Sequence, residues 1–219
     1  MQLVTPREAF LHHLQLAASV CPTRSPRPIL QDVLIEAEKG AVRMLSTDGE
    51  VSLRTSFESD DIKGDGKAAL PAVTLLSAVR SMSDDIVSIE EKSSLHQISC
   101  GTAVFKLNGD EPDMFPSIPT VDTSTVITLP LADFLGLCER TMFAAAKEMG
   151  RYAFNGVLLE VDPDEITLVA TDGRRMALSR LAGSTGIADR QSRILPVKGL
   201  QQLQRAATEA GTDAVLKIG

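Results

Sequence analysis

Two rhythms of apolar residues alternate along this chain. At helical spacing stand Phe10, Leu14, Ala17 and Ala18; Leu75, Val79 and Met82; Phe134, Cys138, Thr141 and Ala145; and Leu200, Leu203 and Ala207. Each set marks one face of a predicted helix. A proline stands four residues ahead of the first apolar residue of each set: Pro6, Pro71, Pro130 and Pro196. Proline suits the first turn of a helix, where its missing N–H costs nothing. Thr5-Pro6-Arg7-Glu8 also reads as a capping box, with Thr5 and Glu8 satisfying free amides. Between the predicted helices the period shortens to that of strands. Val33-Leu34-Ile35, Val42 to Leu45, Val51-Ser52-Leu53, Ile86 to Ile89, Gln97 to Cys100, Val104 to Leu107, Ile166 to Val169 and Met176-Ala177-Leu178 are short and bounded by turn residues. Asp48-Gly49 and Asp172-Gly173 read as hairpin turns in which glycine supplies the positive φ.

These elements repeat. Residues 2–57 slide onto 126–181 at a constant offset of 124 without a gap. Pro6, Phe10 and Leu11 fall on Pro130, Phe134 and Leu135. Arg27 falls on Arg151, and Val33, Leu34 and Glu36 fall on Val157, Leu158 and Glu160. Thr47-Asp48-Gly49 falls on Thr171-Asp172-Gly173. Matches at prolines, apolar positions and a tight turn in one register imply two copies of one structural unit. A weaker repeat inside each copy, marked by the four prolines, divides it into two units. Each unit is a short strand, a helix and about three antiparallel strands, so the fold class is α+β. The expected domains are 1–122 and 126–219; the proline-rich stretch 108–125 ends the first and leads into the second. By this count the fourth unit lacks its last strands. The second domain is therefore expected to be incomplete, with Ala214 to Ile218 an unprotected sheet edge.

At 219 residues and 43% hydrophobic content there is enough chain for two packed cores, and with no Trp and one Tyr those cores must be aliphatic. No apolar run reaches the ~18 residues that span a bilayer. The N-terminus lacks the pattern of a secretion signal. Cys21, Cys100 and Cys138 fit no metal spacing and no disulfide framework, which points to reduced, buried thiols in a cytoplasmic protein.

The formal net charge of −7 argues against a nucleic-acid partner until its distribution is considered. On a helical wheel Lys198 and Arg205 share the face away from Leu200. Arg140 and Lys147 share the outward face of their helix, and Arg80 lies opposite Leu75. Most acids lie in loops and strand ends. Four helices lining one surface would make that surface basic on an acidic protein, suited to holding a phosphate backbone without reading bases. Scattered surface charge that merely solubilises the helices is the plainer alternative.

Arg27-Pro28-Ile29-Leu30 with Val33-Leu34, and Asn155-Gly156-Val157-Leu158 through Ala170-Thr171-Asp172-Gly173-Arg174-Arg175-Met176-Ala177, resemble the bacterial sliding clamp, the beta subunit of DNA polymerase III. Phe115-Pro116 and Leu195-Pro196-Val197-Lys198-Gly199 fit the same pattern, and the resemblance covers nearly the whole chain. It implies a ring of two head-to-tail protomers, each of three similar domains, with helices around duplex DNA and sheets outside. The third domain would be absent here. The implied activity is tethering the replicative polymerase, with no bond made or broken, no cofactor and no metal. The polymerase and the clamp loader would dock short peptides at Thr171, Gly173, Arg174, Arg175 and Met176. There the arginines could hydrogen-bond a peptide and Met176 could offer an adaptable wall. The family usually has His where Arg174 stands. The family's DNA-contact loops match Arg24, Arg151 and Tyr152, and Phe105 and Leu107 match its subunit interface in a homodimer.

An enzyme using Asp172, Glu160 and Asp162 around a divalent cation is the rival from another class. Against it, Asp172 and Glu160 recur as Asp48 and Glu36, which points to a structural use. No Ser-His-Asp set and no glycine-rich phosphate loop is present. A duplicated protein-interaction module without DNA binding is the second rival.

Overall fold

The computed structural model describes residues 1–38, 40–59, 61–92, 95–119, 126–146, 156–208 and 214–218. They form two compact units, Met1–Ile118 and Pro119–Gly219.

In the first unit the chain runs through β1 (Gln2–Pro6), α1 (Arg7–Ala18), β2 (Asp32–Glu38), β3 (Ala41–Thr47), β4 (Ser52–Glu58) and the short β5 (Asp61–Gly64). It then repeats the plan as β6 (Gly66–Pro71), α2 (Ala72–Ser81), β7 (Ile86–Lys92), β8 (Leu95–Cys100) and β9 (Ala103–Asn108). Two antiparallel sheets result, ordered β4-β3-β2-β6 and β5-β1-β7-β8-β9. The repeats exchange their first strands. β6 pairs with β2 of the other repeat, Leu70 opposite Val33, and β1 pairs with β7, Leu3 opposite Ile89. Neither repeat completes a sheet alone, so the pair is the folding unit.

Both helices press into a shared core with the sheets' inner faces. Phe10 and Leu14 of α1, Leu75 and Val79 of α2, and Val33, Met44 and Ile98 of the strands are fully buried. Truncating a residue such as Phe10 to Ala should cost roughly 3–5 kcal/mol. After β9 the chain folds back over the first sheet. Asp110 bridges Ala69, and Phe115 covers Leu34, Leu45 and Ala69.

The second unit contains β10 (Ile127–Pro130), α3 (Leu131–Thr141), a 3-10 turn at Met142–Ala144, β11 (Gly156–Asp162), β12 (Glu165–Thr171), β13 (Met176–Ala182), β14 (Gln191–Pro196), α4 (Val197–Ala207) and β15 (Val215–Ile218). Its sheets are β13-β12-β11-β14 and β10-β15. β11, β12 and β13 begin and end 124 residues after β2, β3 and β4, as the repeat requires. Leu34 faces Leu45 in the first copy, and Leu158 faces Val169 in the second. Among the described residues β15 pairs with β10 only.

The helix starts differ from the sequence expectation. Each proline is the last residue of a strand and precedes the first helical residue; Pro6 has φ −55° and ψ 127°. Strand alternation therefore turns Thr5 inward with Leu3. Thr5 is 2% exposed, its Oγ1 has no partner, and no capping box forms with Glu8. The first helical amide is satisfied from elsewhere: Arg7 N–H donates to the Asp85 carbonyl at 2.7 Å, and Leu131 N–H donates to the Ala214 carbonyl at 2.9 Å. Both acceptors directly precede the strand that pairs with the helix's own leading strand, so the two copies solve the problem identically.

Candidate functional site

The two Thr-Asp-Gly turns share one internal hydrogen-bond scheme. Thr47 Oγ1 donates to the Val51 carbonyl at 3.0 Å and accepts from Gly49 N–H at 3.1 Å. Asp48 Oδ1 accepts from the amides of Glu50 and Val51 at 3.0 and 2.8 Å. In the second copy Thr171 Oγ1 donates to the Arg175 carbonyl at 2.8 Å and accepts from Gly173 N–H at 3.1 Å. Asp172 Oδ1 accepts from the amides of Arg174 and Arg175 at 3.0 and 2.9 Å. Gly49 and Gly173 sit at φ 94° and 85°, the left-handed region that glycine enters without steric cost. Thr and Asp at these positions are consumed in building the turn. The amides of Arg174 and Arg175, and then the Arg175 side chain, hold the half-buried Asp172 carboxyl below its usual range.

Beyond the glycine the two copies diverge. Arg175 Nε donates to Asp172 Oδ2 at 3.0 Å, its Nη2 donates to the Phe143 carbonyl at 2.8 Å, and its guanidinium lies 5.7 Å from the Phe143 ring centroid. Arg175 thus ties the turn to the 3-10 segment after α3. Exposed apolar side chains gather on these segments: Met176 is 68% exposed, Phe143 58% and Leu178 47%. Thr171 is half-buried, and Gly173 and Arg174 are exposed. Sequence reasoning missed Phe143 and Leu178. Phe143 lies in the 3-10 segment that follows α3 and is out of phase with the buried Phe134, Leu137, Cys138 and Thr141 even at regular helical spacing.

The candidate DNA-contact residues are distributed over both units. Arg24 is exposed in the loop after α1, and Arg80 is exposed in the last turn of α2. On α4, Lys198 is half-buried and Arg205 is exposed beside Gln201, Gln204 and Thr208 at a shallow depression. Arg140 differs from the wheel reading. Its Nε donates to Ser179 Oγ on β13 at 2.8 Å and its guanidinium folds over Gly136, so it leans onto the sheet instead of pointing straight outward. Lys147, Arg151 and Tyr152 lie outside the described residues. Phe105 and Leu107 lie on β9, the edge strand of its sheet; Phe105 is 37% exposed and Leu107 packs against the first core.

The acids of the enzyme reading are engaged in ion pairs and turn hydrogen bonds. Glu36 pairs with Lys67 at 2.7 Å, while Glu160 pairs with Arg190, whose Nε also lies 3.8 Å from Asp162. In both copies a cation near the sheet's crossing strand neutralises the same glutamate. Among the described residues no three His, Cys, Asp or Glu side chains converge as metal ligands. Burial pushes the Cys138 thiol up to about 11, so it stays protonated and unreactive. Among the described residues no helix is long and apolar enough to cross a membrane.

Tandem α+β domains of one design, each made of interlocked strand-helix-strand repeats, have the architecture of a DNA clamp. The chain belongs to the DNA polymerase III beta subunit family: residues 1–119 match its N-terminal domain and residues 128–219 its central domain. It is 32% identical over 222 residues to the beta sliding clamp of Pseudomonas aeruginosa, covering 100% of this chain and 60% of that protein. It is 29% identical over 220 residues to that of Vibrio cholerae, again covering 60% of the relative. The crystal structure of the P. aeruginosa DNA polymerase III subunit beta superposes with a TM-score of 0.92 at 30% identity, covering 100% of this chain and 59% of that one. A P. aeruginosa sliding clamp bound to griselimycin matches with the same TM-score, 0.92, at 32% identity and equal coverage, 100% and 59%. The chain thus spans about 60% of the length of the curated relatives it matches.

Proposed function

We propose that the full-length protein is a DNA polymerase processivity factor, a ring that encircles duplex DNA and holds the replicative polymerase to its template. It is not an enzyme and works in the cytoplasm. The observation that carries this reading is the pair of consecutive family domains, matched over residues 1–119 and 128–219. Topological linkage needs no base readout, so a few phosphate contacts suffice, from Arg24, Arg80, Arg140, Lys147, Arg151, Tyr152, Lys198 and Arg205. The turn 171–176 is the proposed seat for the peptides of the polymerase and the clamp loader, and Phe105 with Leu107 the proposed contact within a homodimer. Griselimycin binding by the P. aeruginosa clamp supports a ligand seat on this fold.

The test is retention on circular DNA. Full-length protein assembled on a nicked circle should stay bound in salt that dissolves ordinary phosphate contacts, and should be lost when the circle is linearised. Equal retention on circular and linear DNA would refute encirclement. No retention on either would favour an interaction module without DNA, a reading to which the net charge of −7 lends support.

A further inference from the structure

The two adjacent arginines of the 172–175 turn are used differently. Arg175 is spent inside the protein, on the Asp172 carboxylate, the Phe143 carbonyl and the Phe143 ring. Arg174 contributes only its backbone amide, to Asp172 Oδ1 at 3.0 Å. Its side chain is exposed and makes no hydrogen bond or ion pair among the described residues. The surface running from it along β13 is apolar. Met176 and Leu178 are two apart on an edge strand, so they share one face, with Val169 opposite Leu178. The inner face carries Ala177 and Leu181 against the core. At the far end of the strip the next cation, Arg180, is already matched by Glu165 at 3.6 Å. The strip therefore has one unneutralised positive end, at Arg174.

We propose that Arg174 is the specificity-determining residue of this seat, selecting partner peptides that carry a carboxylate beside their apolar anchors. This rests on the reading of 171–176 as a peptide seat. The apolar anchors cover Met176 and Leu178, and the acid of the peptide lies at the turn. Arg175 is a positioning residue, holding the turn against Phe143 so that Arg174 faces solvent. Because the charge pair is exposed, its effect is selective more than strong: about a two- to fivefold gain in affinity, fading at high salt.

The experiment uses the full-length protein with 13C-methyl methionine and two probe peptides, acetyl-Asp-Leu-Leu-Phe-amide and the same peptide with Asn for Asp. Both probes should move the Met176 methyl resonance. The Asp probe should bind about two- to fivefold tighter at low salt, and the preference should vanish in Arg174→Gln and in roughly 0.5 M salt. Arg174→Lys should restore part of it. Equal affinities for the two probes in the unmodified protein, or an Asp preference that survives Arg174→Gln, would overturn the role of Arg174 and leave the seat itself standing. No movement of Met176 with either probe would overturn both.

Discussion

Asp110 lies against the buried carboxyl of Asp32, bringing its charge and its backbone amide to a group that is only 4% exposed. The contact closes the strap after β9 onto the β2–β6 edge, where Asp110 N–H also donates to the Ala69 carbonyl at 3.1 Å. Burial first, and the Asp110 charge second, raise Asp32 to about 6, while the Asp110 amide partly opposes them. Asp32 Oδ2 has no partner. An acid whose folded pKa is raised binds its proton more tightly when folded. Its stabilising contribution is therefore full below about 3.8 and lost as pH rises through about 6. At neutral pH the charged Asp32 costs on the order of 2–3 kcal/mol. The second copy does without it, since Gly156 begins the equivalent strand. Asp32→Asn should thus stabilise the first domain by ~1–3 kcal/mol at pH 7.5, with the gain shrinking toward zero near pH 4. Urea unfolding of both proteins at the two pH values measures this. A gain independent of pH would remove the ionised carboxylate from the account.

Thr5 offers a second test, because the sequence and the structure assign it opposite roles. As the cap of α1, its loss would cost about 1 kcal/mol. In the structure its hydroxyl is buried without a partner on the inner face of β1. The second copy places Leu129 at the same position, 6% exposed and part of its core. Thr5→Val keeps the shape and removes the orphan oxygen, so it should raise stability by ~1 kcal/mol. Glu8→Ala, in contrast, should be close to neutral. A loss of stability in both variants, seen as a lower urea midpoint, would restore the capping box.

Much of this fold is legible in the sequence because its signals are local. The 124-residue offset predicts β11, β12 and β13 from β2, β3 and β4, and the Asp-Gly pairs mark turns whose bonds are all internal. The features that escaped are non-local. Nothing in the sequence of β1 says that it pairs with β7 and not with its own repeat, or that β6 crosses to β2. The same holds for side chains. A helical wheel gives Arg140 an outward direction but not the Ser179 hydroxyl that draws it to β13. Two successive arginines read alike until one of them reaches Phe143, 32 residues away.

Edge strand β9 separates packing from association within two residues. Leu107 packs against the first core, whereas Phe105, 37% exposed, stands outside that cluster although strand alternation gives the two side chains one face. Beside Phe105, Val104 is 52% exposed, and β9 has no further strand on its outer side among the described residues. A core residue should reveal itself through stability alone, and Leu107→Ala should cost ~2 kcal/mol in urea unfolding of the first domain. Phe105→Ala should cost about 1 kcal/mol, less than Leu107→Ala, since more than a third of the residue already meets solvent. If β9 is the contact between protomers, the ranking reverses in the full-length protein. Phe105→Ala should then weaken self-association in sedimentation velocity more than its small effect on folding explains, because an exposed aromatic at an edge contributes mainly when a partner covers it. Equal stability losses in the two variants, with unchanged sedimentation, would make Phe105 an ordinary packing residue and move the subunit contact elsewhere.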